Sequence, residues 1–114
     1  MLRDDRIRLS HMRDAAKEAL SFVVAKTRDD LDNNRQLVLA LLKSIEIIGE
    51  AAAKISPDWK SKSSEIPWRD IIAMRNRLIH AYFDVDLDIL WQTVTTELPP
   101  LITALEESLQ TERE

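Results

Sequence analysis

Arg75, Asn76, His80 and Tyr82 fall within eight residues of one another and form a set suited to phosphate chemistry. A guanidinium is a permanent cation whose planar fork of donors matches phosphate oxygens. An imidazole takes up and releases protons near neutral pH, an amide can orient either group, and a phenol supplies a hydroxyl. The position of Arg75 is stranger than its type. Wound as a helix at about 100° per residue from Trp68, Leu78, Ile71, Tyr82, Trp68, Ile79 and Ile72 share one apolar arc, and Arg75 falls in the middle of it. A charge aimed at a packing face needs an anionic or strongly hydrogen-bonding partner, because an unpaired buried cation costs several kcal/mol.

Three partners fit Arg75: a carboxylate such as Glu46 or Glu50, the polar seam of a dimer, or a phosphate held in a groove. Asn76 and His80 share one edge of the same helix. Arg75 and His80 stand about 140° apart, so their heads converge only if the arginine side chain bends or the helix loosens near His80. A buried Arg–Glu pair and one structural histidine would account for the same residues with no chemistry at all. Glu46 and Glu50 are one turn apart, but with no histidine motif beside them they suit ion pairs better than a metal. No metal site and no cofactor are expected.

The elements that must position this set are helical. Leu9, Met12, Ala16, Ala19 and Val23 recur at steps of three and four and predict a first helix over about residues 4–26. Asp29 or Asp30 can cap the second, whose stripe of Val38, Leu41, Ile45, Ile48, Ala52 and Ile55 ends at Ser56–Pro57. DWKSKSSE reads as a loop, and Ile66–Pro67 opens a third helix that carries the arginine. Asp84, Asp86 or Asp88 can cap a fourth helix bearing Leu87, Leu90, Val94 and Leu98. Pro99–Pro100 should break or kink it, leaving LITALEESL as a last helix or bent extension. The expected fold is all-α, a compact bundle of four or five antiparallel helices in a single domain over 1–114. Gly49, the one glycine, falls inside the second helix near its apolar arc and implies a close helix crossing.

Composition narrows the classes. At 45% hydrophobic and 32% charged, the 114 residues suit one globular core, and a single glycine with four prolines argues against a turn-rich β fold. With no cysteine there is neither a disulfide framework nor a thiolate metal site, which is compatible with a cytoplasmic setting. MLRDDRIRLS carries acids and no apolar core, unlike a secretory leader, and no apolar run nears the ~20 residues that span a bilayer. The net charge of −4 is unevenly spread. Residues 1–58 balance ten basic against ten acidic side chains; Lys60, Lys62, Arg69, Arg75 and Arg77 outnumber Glu65 and Asp70; beyond 84, Arg113 faces eight acids. The basic island coincides with the unusual arginine and points to an anionic ligand.

The spacing R-x4-H-x-Y, from Arg75 through His80 to Tyr82, resembles the signature of the HEPN superfamily and, within it, of HepT-like toxins. The longer words IEIIGEAAAKIS at 45–56, IPWRDIIAMRNRLIHAYFDVD at 66–86, and LDILWQTV followed by LPPL resemble that family as well. The likeness covers about residues 40–101 in order, with no departure at the motif positions.

The resemblance implies a metal-independent endoribonuclease toxin that forms a homodimer with two motif helices facing across a two-fold cleft. It also implies a partner, a minimal nucleotidyltransferase antitoxin that silences the toxin by adding AMP to Tyr82. Arg75 and His80 would then be catalytic, and Asn76 and Arg77 would bind or orient the RNA. RNA cleavage without metal needs a 2′-hydroxyl deprotonated, a leaving 5′-oxygen protonated and a phosphorane charge stabilised, tasks that an imidazole and a guanidinium can share. The alternative is a HEPN subunit that binds a nucleotide or its nucleotidyltransferase partner without cutting RNA. A purely structural helical dimer would explain the apolar stripes but not the convergent polar set.

Overall fold

Four long helical rods carry the chain, and in each the buried side chains follow the apolar stripe of the sequence. The computed structural model describes residues 2–80 and 84–111, except for the side chains of Ile79 and His80. The order is α1 (Arg3–Phe22), α2 (Asp30–Asn33), α3 (Arg35–Lys54), α4 (Pro57–Lys62), α5 (Trp68–His80) and α6 (Leu87–Gln92), then a π-helical turn (Thr93–Glu97) that leads into α7 (Leu98–Thr111). No strand occurs among the described residues. α3 is the central rod, packed on α1 and α5, and α1 also packs on α7. Its stripe of Val38, Leu41, Ile45, Ile48, Ala52 and Ile55 is buried throughout, as is the α1 stripe of Leu9, Met12, Ala16 and Ala19. The all-α bundle expected from the sequence is the fold observed. None of its described helices is long and apolar enough to cross a membrane.

Local structure departs from expectation in four places. The first helix stops at Phe22 rather than 26, because Ala25 adopts a left-handed φ of 62° that ends the helical run. Neither Asp29 nor Asp30 caps the long second rod. Asp30 accepts a bond from the Thr27 amide at 2.7 Å, while the Asn34 side chain caps α3 by accepting from the Leu37 amide at 3.0 Å. The stretch expected as a loop holds α4, with Pro57 in its first turn and Trp59 as its buried anchor. Trp59 meets Trp68 edge to face with centroids 5.8 Å apart, and the Trp68 indole donates to the Ser63 carbonyl at 3.1 Å. The α4–α5 corner is thereby fixed.

Of the break or kink expected at Pro99–Pro100, the break does not occur, and the helical run passes through both prolines. A proline ring inside an α-helix removes a donor and collides with the carbonyl four residues back. Here the preceding turn is π-helical, with the Leu98 amide bonded to Thr93 five residues back, and the wider turn accommodates both prolines at the start of α7. Among the three candidate caps of the fourth rod, Asp86 serves, accepting from the amides of Asp88 and Ile89 at 3.0 and 3.1 Å.

Asp5 ties the amino end of α1 to the α3–α4 junction. Its carboxylate is 1% exposed and accepts from the Ser56 amide at 2.9 Å and from the Ser56 hydroxyl at 2.6 Å. Replacing Asp5 with Ala would strand both donors in a covered site, a loss of about 1–3 kcal/mol. Urea unfolding of Asp5→Ala should show a lower midpoint with an unchanged slope, whereas a midpoint equal to wild type would contradict the tie.

Candidate functional site

α5 lays one face on α3 and leaves the other to solvent. Ile71 and Leu78 are buried, Trp68, Ile72 and Met74 are half-buried, and Asn76 and Arg77 are exposed. Arg75 lies on the packed face, as the helical wheel requires, and its stem rests on Gly49 of α3. A Cβ added to Gly49 would overlap the Arg75 Cβ and Cγ and stand 3.2 Å from its Cδ. The close helix crossing implied by that glycine is thus a crossing beneath the arginine.

The guanidinium is not neutralised by Glu46 or Glu50, the carboxylates expected as its partners. Glu46 reaches Lys43 at 3.6 Å, and Glu50 is exposed on the groove that α3 forms with α1, beside Ile7, His11 and Lys54. Among the described residues Arg75 forms no ion pair, and its Nε is buried with no hydrogen-bond partner. The residue as a whole is half-buried, so with stem and Nε covered the outer nitrogens meet the surface. A buried donor of this kind costs about 1–3 kcal/mol in the free protein. Outer nitrogens at the surface with no carboxylate partner among the described residues fit a cation open to an anion better than a structural ion pair.

Asn76 and Arg77 lie on the exposed side of α5. Arg77 is about 200° round the helix from Arg75 and lines a groove with Asp70, Ile71, Met74, Glu97 and Leu98. Arg75 and Arg77 of one chain therefore do not converge. The basic island also divides at its other end, where the Lys60 ammonium lies 5.9 Å from the Trp68 ring centre. His80 is the last residue of α5, and Tyr82 lies outside the described residues. Among the described residues, no three His, Asp or Glu side chains are grouped to hold a metal ion.

The family model for HepT-like ribonucleases matches residues 12–108. A Caldanaerobacter subterraneus subsp. tengcongensis protein provisionally named an RNase is 34% identical over 105 residues, which is 92% of this chain and 94% of the relative. A Thermococcus cleftensis protein provisionally named ribonuclease HepT is 41% identical over 88 residues, 74% of this chain and 80% of its own. A Methanocaldococcus jannaschii protein, also provisionally named an RNase, is 31% identical over 99 residues, covering 87% and 91%. No solved structure matches the chain. The family match covers α3 and the arginine-bearing α5 whole, together with the second half of α1 and most of α7, and the chain belongs to the HepT-like ribonuclease family.

Proposed function

We propose that this chain is a metal-independent endoribonuclease toxin that cuts RNA with Arg75 and His80 in the cleft of a two-fold homodimer. The observation that carries the reading is Arg75 itself, a cation with a covered stem and no carboxylate partner among the described residues. Family membership supports RNA as the substrate. The His80 imidazole takes the proton of a 2′-hydroxyl, the 2′-oxygen attacks the neighbouring phosphorus, and Arg75 stabilises the added negative charge of the phosphorane. The P–O5′ bond then breaks as the 5′-oxygen receives a proton. Two-fold symmetry supplies a second imidazole, so that one histidine can act as base while the other acts as acid. Asn76 orients His80 or a phosphate oxygen, and Arg77 attracts the strand from the far side of α5.

Regulation in this reading runs through Tyr82. A nucleotidyltransferase antitoxin transfers AMP from ATP to its hydroxyl, which loses its proton as pyrophosphate leaves, and the phosphodiester brings bulk and negative charge to the place an RNA phosphate must occupy. The chemistry is tested on a labelled RNA in excess EDTA. The expected products end in a 2′,3′-cyclic phosphate and a 5′-hydroxyl, the pair that 2′-oxygen attack requires. RNA left intact in EDTA, or products ending in a 5′-phosphate, would refute the mechanism.

A further inference from the structure

Apart from proline, glycine is the least favourable residue for a helix interior, and the chain spends its one glycine inside α3. A notch of this kind ordinarily admits an apolar side chain at a helix crossing. Here the occupant is Arg75, whose Cβ and Cγ fill the space an alanine methyl would need. The apolar residues around the notch, Ile45, Ile48 and Ala52 on α3 and Ile71 and Leu78 on α5, are already buried. The notch therefore serves the arginine. Because the Arg75 Cβ is fixed to the α5 backbone, it cannot swing aside as the end of a flexible side chain could. Restoring ordinary carbon–carbon contact would push the two helices apart by on the order of 1 Å.

We propose that Gly49 is a positioning residue for Arg75. Its missing side chain lets α5 settle on α3 to the depth at which the arginine stem and Nε are covered, which fixes the height at which the outer guanidinium nitrogens meet an RNA phosphate. The proposal rests on the reading of Arg75 as the cation that meets the scissile phosphate. A displacement near 1 Å at a reacting centre costs about 100-fold in rate, so a modest shift of α5 is enough to matter.

The test is Gly49→Ala in the full chain, read in two ways. Single-turnover RNA cleavage should fall about 100-fold in its maximal rate with little change in half-saturating RNA. In ¹⁵N–¹H spectra without RNA, the Arg75 Nε–H resonance should move and exchange faster with water as the stem lifts out of its notch. Wild-type cleavage together with a wild-type Nε–H signal would overturn the proposal. If wild-type protein cuts no RNA but Gly49→Ala still moves the Nε–H signal, the nuclease reading fails and the positioning contact stands. Should Gly49→Ala fold poorly, thermal unfolding of Gly49→Ala in an Arg75→Gly background decides. Alanine at a helix interior should raise the midpoint once the clashing stem is gone, and a midpoint lowered there as well would overturn the assignment.

Discussion

Replacing Arg75 with alanine is expected to lower the maximal rate of RNA cleavage about 10²–10³-fold, the usual loss when a preorganised charge partner of the transition state is removed. The half-saturating RNA concentration should change far less, because the charge that Arg75 meets is largest in the phosphorane. Stability should move the other way or not at all. The substitution removes an Nε that is buried without a partner among the described residues, and it leaves a Cβ still seated on Gly49. A thermal midpoint that holds or rises while activity collapses marks a residue kept for function at a stability cost. The opposite result, a lowered midpoint with cleavage intact, would make Arg75 a packing residue.

The second large effect concerns the proposed off switch. Tyr82→Phe should cleave RNA as wild type does, because a phenol with an ordinary pKa of about 10 is a poor proton shuttle beside an imidazole. Incubation with the nucleotidyltransferase antitoxin and ATP should silence wild-type protein and leave Tyr82→Phe active. Mass spectrometry of the silenced protein should place AMP on the peptide that contains Tyr82. Additions on other peptides, or loss of cleavage with the hydroxyl alone, would assign the tyrosine another role.

The parts of this fold that were legible in the sequence are those set by periodicity. Val38, Leu41, Ile45, Ile48, Ala52 and Ile55 mark the α3 stripe by spacing, and all six are buried. Arg75 was legible as an anomaly for the same reason, since a wheel shows which face a residue takes. A wheel does not show what lies opposite. Whether Glu46 or Glu50 met the guanidinium depended on the register of α3 against α5, which puts Gly49 under the arginine and leaves Glu46 with Lys43. The lone mid-helix glycine was the available signal for that register, but nothing in its neighbours named its partner. Asp5 carried no signal, because an acid in a first helical turn is commonplace and its burial against Ser56 is a tertiary event. α4 was hidden by its polar composition, with Trp59 its one buried residue. The unbroken helical run through Pro99–Pro100 was hidden because a π-helical turn precedes them, and local propensity gives no warning of a wider turn.

The proposed RNA cleavage depends on His80 and Arg75 acting together on one phosphate without a metal. Its most direct test is single-turnover cleavage of a labelled RNA in excess EDTA, wild type beside His80→Ala at equal concentration. Wild type should cut, and His80→Ala should be slower by about 10²–10⁴-fold, the range for loss of a general acid–base group, with helical content and mass in solution unchanged. Equal cleavage by the two proteins would contradict the account at its centre.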